Sequence, residues 1–265
     1  MIRWLHNYKE SFSELNDEIQ ILNNGIMPDG WERVSSSIFA QVAFKKSIPQ
    51  VFYKQFLPRN FMETPKALVR GSRCQRAIKQ LKVLKRNNFR SPNVLCWGKL
   101  KQGREFMVTE AVDGLGVGNC LASFFRGVTE PDLLKQKRLI LGALGAEIGR
   151  LHSAGIVHGD LRPNNVLIER RLFPPVFHFI DNERNKIHKK ISRKLLIKNL
   201  VQIGMLAGVD ISKTDRCRFF RGYIGVYKDF DKELIGEIFS TTLKRLDGKN
   251  PDSLGFPKLS KSIFE

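Results

Sequence analysis

The stretch from Gly155 to Ile168, GIVHGDLRPNNVLI, determines how the rest of this chain is interpreted. Within it, Asn165 follows the aspartate Asp160 by five residues, and a second aspartate, Asp181, closes a short apolar strand predicted over Val176–Ile180. Phosphoryl transfer to an alcohol needs one carboxylate that accepts the hydroxyl proton. It also needs an amide and another carboxylate that hold magnesium against the nucleotide phosphates. These three side chains therefore predict a phosphoryl-transfer site.

Size and charge limit the remaining possibilities. A chain of 265 residues with 42% hydrophobic content can bury a full core and favours one two-lobed unit over two independent domains. The 45 basic and 26 acidic residues give a formal net charge of +19, which favours phosphate-bearing partners. Charge alone does not choose between nucleic acid, anionic lipid and a phosphorylated glycan.

Three features of the sequence indicate the compartment. The four cysteines are widely spread and form no CxxC pair, which is typical of thiols in a reducing cytoplasm. The N-terminal sequence MIRWLHNYKE turns polar at once, unlike a cleavable signal peptide. The longest apolar run, residues 139–146, is too short to span a bilayer. We therefore expect a soluble or peripherally membrane-attached protein.

The order of predicted elements is strands first and helices afterwards. Alternating apolar residues and turn residues predict five short strands, over Trp31–Ser35, Ile38–Lys45, Gln50–Phe56, Val94–Leu100 and Glu105–Glu110. A basic amphipathic helix is predicted over Arg73–Arg86. Beyond Val112 the pattern becomes helical, and Thr129 with Asp132 resembles a capping box that opens a helix running through His152. The expected divisions are an N-terminal extension (1–30), a sheet-rich lobe (31–112), a helical lobe (113–250) and a tail (251–265).

Residues from about 31 to 225 resemble protein-kinase-like enzymes, and more narrowly the Kdo/WaaP-type lipopolysaccharide kinases of Gram-negative bacteria. The narrower resemblance rests on HGDLRPNN and IDNERN together with VFYKQF (51–56), RGSR (70–73) and DRCRF (215–219). It implies an α+β, protein-kinase-like bilobal fold with a small antiparallel-sheet N-lobe and a mainly helical C-lobe. It also implies ATP-dependent phosphorylation of a sugar hydroxyl of the lipopolysaccharide inner core, on Kdo or heptose, at the cytoplasmic face of the inner membrane.

The resemblance implies a role for each polar residue of the loop. Asp160 would be the general base, and Arg162 would offer its planar fork of donors to the transferring phosphate. Asn165 and Asp181 would bind Mg²⁺ through oxygen, which a hard cation prefers. His158 is expected to support the loop without taking part in the chemistry.

The resemblance also implies an ATP site in the sheet-rich lobe. Lys54, on the third predicted strand, would bind the α- and β-phosphates, and Thr109 would stand at the back of the nucleotide pocket. The backbone from Glu110 to Val112 would recognise adenine. The first turn lacks GxGxxG, so phosphate cover is expected from three hydroxyls, those of Ser35, Ser36 and Ser37.

Two departures from the kinase pattern accompany these expectations. Ala77 occupies the position where an acidic partner of Lys54 is expected, and Glu63 is a possible substitute for that partner. Asn182 and Glu183 follow Asp181 in place of Phe-Gly, which argues against a phenylalanine-driven activation switch.

Two basic clusters predict binding to an anionic membrane surface that carries the glycolipid acceptor. The first comprises Arg70, Arg73, Arg76, Lys79, Lys82, Lys85 and Arg86, and the second Lys186, Lys189, Lys190, Arg193 and Lys194. No nucleic-acid partner is expected, because the clusters lack interleaved aromatic residues. The alternatives to a sugar kinase are an atypical serine/threonine protein kinase and a nucleotide-binding pseudokinase.

Overall fold

The structure is a computed structural model that describes residues 2–4, 12, 15–58, 71–170 and 173–247. The chain forms two compact units. The first contains Met1–Lys85 and Ser91–Val112, and the second contains Arg86–Arg90 and Asp113–Glu265.

The first unit is built on a six-stranded antiparallel sheet with the order β1-β5-β6-β4-β3-β2. Its strands are β1 (Ile2–Trp4), β2 (Trp31–Val34), β3 (Ala40–Lys45), β4 (Val51–Phe56), β5 (Val94–Lys99) and β6 (Glu105–Glu110), and its helices are α1 (Leu15–Asn23) and α2 (Arg73–Arg86). The five predicted strands and helix α2 are confirmed, with strand ends within two residues of those expected. Strand β1, three residues in a polar segment, was not predicted.

Side chains alternate across this sheet, so each face buries a different helix. On one face, the apolar side of α1 contributes Leu15 and Ile19 to a core that contains Tyr53 and Phe106 of the sheet. On the other face, α2 packs its small residues Cys74 and Ala77 against Phe56 and Met107. Helix α1 is therefore part of the core of the first unit.

The second unit is mainly helical, with two small sheets. Its helices are α3 (Val117–Phe124), α4 (Pro131–Ser153), α5 (Arg193–Ile203), α6 (Lys213–Val226) and α7 (Leu234–Asp247). The strands β7 (Gly114–Gly116), β9 (Val166–Glu169) and β10 (Phe177–Phe179) form one sheet, and β8 (Ile156–Val157) pairs with β11 (Lys186–Ile187).

Helices α4 and α6 pack closely in the second unit. A Cβ atom at Gly145 would overlap the backbone carbonyl of Phe219, and one at Gly222 would overlap the carbonyl of Gly142. Tyr223 is fully buried beside this contact. Small residues at the crossing thus allow the two backbones to approach one another.

The predicted capping box at the start of α4 is wrong. The N-cap residue is Glu130, and its side chain makes no capping hydrogen bond. Pro131 occupies the first turn, where its fixed φ suits the helix and its missing N–H needs no cap. The helix therefore begins at a proline without a side-chain cap.

None of the four cysteines forms a disulfide, and all four lie within the described residues. Across the described ranges, no helix combines the length and apolar character needed to cross a membrane.

Candidate active site

The loop that begins at His158 is held by its histidine. His158 is buried, its Nε2 donates to the carbonyl oxygen of Ile180 at 3.0 Å, and its Nδ1 accepts from the backbone N–H of Asp160 at 3.1 Å. One ring nitrogen thus donates and the other accepts, which is the pattern of a neutral imidazole. Burial lowers the pKa of His158. The side chain supports the loop, as the sequence indicated.

Asp160, the predicted general base, is held from two elements. Its Oδ1 accepts from Arg162 Nε at 3.0 Å, in the same loop, and from Gln202 Nε2 at 3.3 Å, on α5. Its backbone carbonyl accepts from Asn165 Nδ2 at 2.8 Å. Both described contacts to the carboxylate go to Oδ1. Asp160, Arg162 and Asn165 are therefore brought together.

Asn165 and Asp181 lie at the same end of a strand pair. Strands β9 and β10 are antiparallel with Val166 opposite Phe179, and the N–H of Ile180 donates to the carbonyl oxygen of Asn165 at 3.0 Å. Asn165 immediately precedes β9 and Asp181 follows β10 by two residues, so the register brings them to one edge.

Asp181 has an unusual backbone conformation. Its φ of 58° and ψ of 43° lie in the left-handed region, which costs a residue with a side chain roughly 1–2 kcal/mol. Strain of this kind is concentrated at functional sites, where the surrounding structure holds it in place. The side chain is exposed. The conformation turns the chain sharply between β10 and the 3₁₀ turn Asn182–Arg184.

The donor set at this edge fits magnesium. The nitrogen of the Asn165 amide donates to the carbonyl of Asp160, so the amide oxygen is the atom left for a cation, and Asp181 at the same edge carries a carboxylate. Within the described part of the chain, no three His, Cys, Asp or Glu side chains form a metal site by themselves. One amide oxygen and one carboxylate suit Mg²⁺, which takes its remaining ligands from water and phosphate.

Three residues that support the loop were not predicted. Asn199 on α5 accepts from the N–H of His158 at 3.1 Å and donates to its carbonyl at 2.8 Å. Asn185 Oδ1 accepts from the N–H of Gly159 at 3.1 Å. Gln202 contacts Asp160, as described above. All three lie more than 25 positions from their partners, so local spacing carried no signal for them.

Gly159 is required by close packing. A Cβ atom there would overlap the Cβ of Arg184 and lie 2.6 Å from its carbonyl carbon. The loop of Asp160 and the segment after Asp181 therefore pack backbone against backbone.

Lys54 lies on β4 of the first unit, opposite Val42 and Met107. Its ammonium group lies 5.3 Å from the ring centroid of Phe56, two residues along the same face. Ala77 of α2, at the position where an acidic partner of Lys54 was expected, is buried in an apolar cluster on this face. Glu63, the proposed substitute, lies outside the described residues.

Glu105 of β6 is an acid that contacts α2. Its Oε2 accepts from the backbone N–H of Cys74, in the first turn of α2, at 3.3 Å. Its Oε1 is buried and has no hydrogen-bond partner among the described residues. Glu105 lies opposite Phe56 in the sheet and therefore shares the face of Lys54.

The other predicted nucleotide-binding residues also lie in the first unit. Ser35, Ser36 and Ser37 form the exposed β2–β3 loop, where Ser36 Oγ donates to the carbonyl of Ala40 at 2.8 Å. Thr109 lies on β6 opposite Phe52. The N–H of Glu110 donates to Asn93 and that of Ala111 to Gln50, and Val112 is the last residue of the unit. Their binding roles remain predictions.

Two motifs that carried the resemblance are structural. Arg216 of DRCRF donates to the carbonyls of Gly204 and Leu206, each at 2.7 Å. Asp215 forms a capping box with Ser212 at the start of α6. Arg73 of RGSR is buried and donates to the carbonyls of Phe39 and Leu57. These arginines satisfy backbone oxygens and so stabilise the fold.

Comparison with known proteins gives a family and a fold. The model of the "Lipopolysaccharide kinase (Kdo/WaaP) family" matches residues 56–223. The solved structure of WaaP in complex with acyl carrier protein has a TM-score of 0.61 and 13% sequence identity over 93% of this chain and 98% of that one. At that identity the likeness shows the fold alone. The α+β, protein-kinase-like fold is thereby confirmed.

Two further matches cover only part of the proteins concerned. WbdD, solved with a kinase inhibitor, has a TM-score of 0.48 and 17% identity over 84% of this chain and 48% of that one. An EKC/KEOPS complex subunit of Schizosaccharomyces pombe is 31% identical over 61 residues, which are 23% of this chain. The match spans about a quarter of that relative, 26% of its length.

Proposed function

Because the chain belongs to the lipopolysaccharide kinase (Kdo/WaaP) family, we propose that it transfers the γ-phosphate of ATP to a sugar hydroxyl of the lipopolysaccharide inner core, on Kdo or heptose. One observation carries this proposal: the Asp160 carboxylate is held by Arg162 of the loop and by Gln202 of α5, and Asn165 binds the backbone carbonyl of Asp160. A carboxylate fixed from two sides is suited to orient a hydroxyl.

In the proposed reaction Asp160 accepts the proton of the attacking sugar hydroxyl. Charge develops late in the loose transition state of phosphoryl transfer, so orientation of the nucleophile matters more than strong basicity. The contacts of Arg162 and Gln202 to Oδ1 fix the carboxylate plane and leave Oδ2 for the hydroxyl. Arg162 is 71% exposed at its side chain, so its remaining donors are available to the oxygens of the transferring phosphate.

Asn165 and Asp181 would hold Mg²⁺ at the shared edge of β9 and β10. When bound, the ion would neutralise charge on the nucleotide phosphates. The protein's own contribution is the fixed position of the two oxygens. The strand register and the left-handed backbone of Asp181 support this assignment.

For the nucleotide, we propose that Lys54 binds the α- and β-phosphates and that the backbone from Glu110 to Val112 recognises adenine. Thr109 would line the back of the base pocket, and the hydroxyls of residues 35–37 would cover the phosphates. The exposure of that serine loop and the position of Lys54 in the middle of β4 support these roles.

The proposed acceptor is a glycolipid, so we place the protein at the cytoplasmic face of the bacterial inner membrane, attached peripherally. The net charge of +19 supports binding to an anionic surface. We propose no nucleic-acid partner.

The test uses purified protein, labelled ATP and magnesium with three acceptors: a Kdo-containing lipid A, a heptose-bearing core and a generic protein. Transfer to one of the two glycolipids supports the proposal and identifies the sugar. Transfer to protein alone would mean an atypical protein kinase. Nucleotide binding without transfer to any acceptor would mean a pseudokinase, a reading that the apolar site around Ala77 favours.

A further inference from the structure

The segment 186–190 of the second unit presents an isoleucine among lysines. Ile187 is a large apolar side chain that is 58% exposed. Lys186 precedes it, and Lys189 and Lys190 follow, all exposed. We call residues 186–190 the KI segment.

The KI segment is fixed to the body of the second unit. Lys186 and Ile187 form β11, paired with Val157 and Ile156 of β8. The N–H of His188 donates to the carbonyl oxygen of Gly155 at 2.8 Å. The backbone is therefore anchored on both sides of Ile187, and the exposure of that side chain is a property of the fold.

The lysines of the KI segment are not neutralised by nearby acids. Among the described residues, none of the three forms an ion pair. Arg193, a few residues later, pairs with Glu237 at 2.8 Å, so it adds little free charge to this surface. Three cations around one apolar side chain complement an anionic lipid interface, where headgroups meet the lysines and the hydrocarbon boundary meets the isoleucine.

The first basic cluster has a different structure. Arg73 is buried and hydrogen-bonded to backbone carbonyls, and Arg76 donates to the carbonyl of Gly71 at 2.8 Å. Its exposed lysines, Lys79, Lys82 and Lys85, lie on α2, whose large apolar side chains are buried or half-buried. This cluster offers charge without an apolar side chain to insert.

The KI segment also lies close to the proposed base. Lys186 is opposite Val157, which precedes Asp160 by three residues, a span of about 10 Å of extended chain. Asn185, adjacent to Lys186, bonds the N–H of Gly159. A lipid bound at this segment would therefore present its headgroup near Asp160.

We propose that the KI segment is the membrane-contact site of the protein, with Ile187 inserted at the interface of an anionic bilayer and Lys186, Lys189 and Lys190 among its headgroups. The inference rests on the proposed function, because the acceptor is a lipid of that surface.

The experiment measures sedimentation of the full chain with phosphatidylcholine vesicles, with and without phosphatidylglycerol, in the absence of ATP. We expect binding only to the anionic vesicles, weakened by added salt. Ile187→Ser should weaken binding about tenfold, whereas Leu139→Ser, a matched change at an exposed leucine of α4, should leave it unchanged. The triple change K186Q/K189Q/K190Q should weaken binding a hundredfold or more, at roughly fivefold per lysine, and K79Q/K82Q/K85Q should have little effect.

Equal binding to neutral vesicles, or equal losses from the two triple variants, would overturn the proposal. Binding to a soluble acidic polypeptide is measured on the same variants. KI variants that lose this binding but keep binding to vesicles would also overturn the proposal, because the segment would then be a protein-docking surface. Phosphoryl transfer to a delipidated core sugar is measured on the same variants. Phosphoryl transfer should persist in all of the variants. If the wild-type protein shows no transfer, the result counts against the proposed function, whereas vesicle binding still tests the membrane-contact site.

Discussion

Gln202 on α5 donates a hydrogen bond at 3.3 Å to the Asp160 carboxylate, although the two residues are 42 positions apart in the chain. Arg162 contacts the same oxygen at 3.0 Å. These two hydrogen-bond donors orient the Asp160 carboxylate, and Arg162 also places a positive charge beside it. The helix that follows the site is therefore part of the proposed catalytic apparatus.

Gln202→Glu tests this positioning role. Repulsion between the new carboxylate and that of Asp160 should move the acidic limb of the pH–rate profile to higher pH. Gln202→Ala should lower kcat by about tenfold with little change in the KM for ATP. Lys198→Ala, an exposed change on the same helix, is the control. An unchanged profile in the glutamate variant would show that Gln202 acts only through packing.

Gly159→Ala should destabilise the protein by about 1–3 kcal/mol and abolish transfer, because the new methyl group has no space against Arg184. Gly225→Ala is the control: no atom lies within 4 Å of its added Cβ on α6. That substitution should stabilise by about 0.5 kcal/mol. Urea unfolding measures both. Equal stabilities for the two variants would contradict the close packing.

Asp181→Gly separates backbone strain from metal binding. Glycine adopts the left-handed conformation without cost, so the free energy of unfolding should rise by up to about 1 kcal/mol. Transfer should nevertheless be lost, because the carboxylate is gone. Asp181→Asn keeps an oxygen and should retain a small fraction of activity that rises with magnesium concentration. Full activity in the glycine variant would mean that Asp181 holds no metal.

Two buried histidines make the stability of the fold dependent on pH. Burial lowers the pKa of His152 to about 4, and it also lowers the pKa of His158. The unfolded chain takes up protons near pH 6.5 while the folded chain does not, so the stabilisation is present above pH 6.5 and is lost as pH falls towards 4. His152 alone should account for about 2 kcal/mol between pH 7 and pH 5.

The check is urea unfolding of the wild type and His152→Gln at both pH values. The variant loses the contact of Nδ1 to the Tyr223 hydroxyl at 2.7 Å, so it should be less stable at pH 7. Its stability should change less between pH 7 and pH 5 than that of the wild type. Parallel losses in the two proteins would show that His152 does not titrate on unfolding.

The sequence predicted the contacts between site residues that lie close together in the chain. Asp160, Arg162 and Asn165 lie within six residues, so their spacing predicted a shared loop that the structure confirms. Asn199 and Gln202 were not predicted, because contacts between side chains that are far apart in the chain leave no spacing pattern in the sequence. The predicted capping box failed because Pro131 starts the helix by a different mechanism. The contact of Glu105 to α2 was not predicted, because it joins residues 31 positions apart in the chain.

The most direct test of the central claim is single-turnover transfer of labelled γ-phosphate from ATP by Asp160→Asn, with the inner-core glycolipid that the wild type phosphorylates as acceptor. The asparagine keeps the shape and the backbone contacts of the loop but cannot accept the hydroxyl proton. We predict a rate lower by a factor of at least about 100, with ATP binding and urea stability close to those of the wild type. A variant that transfers phosphate as fast as the wild type would contradict the assignment of Asp160 as the base.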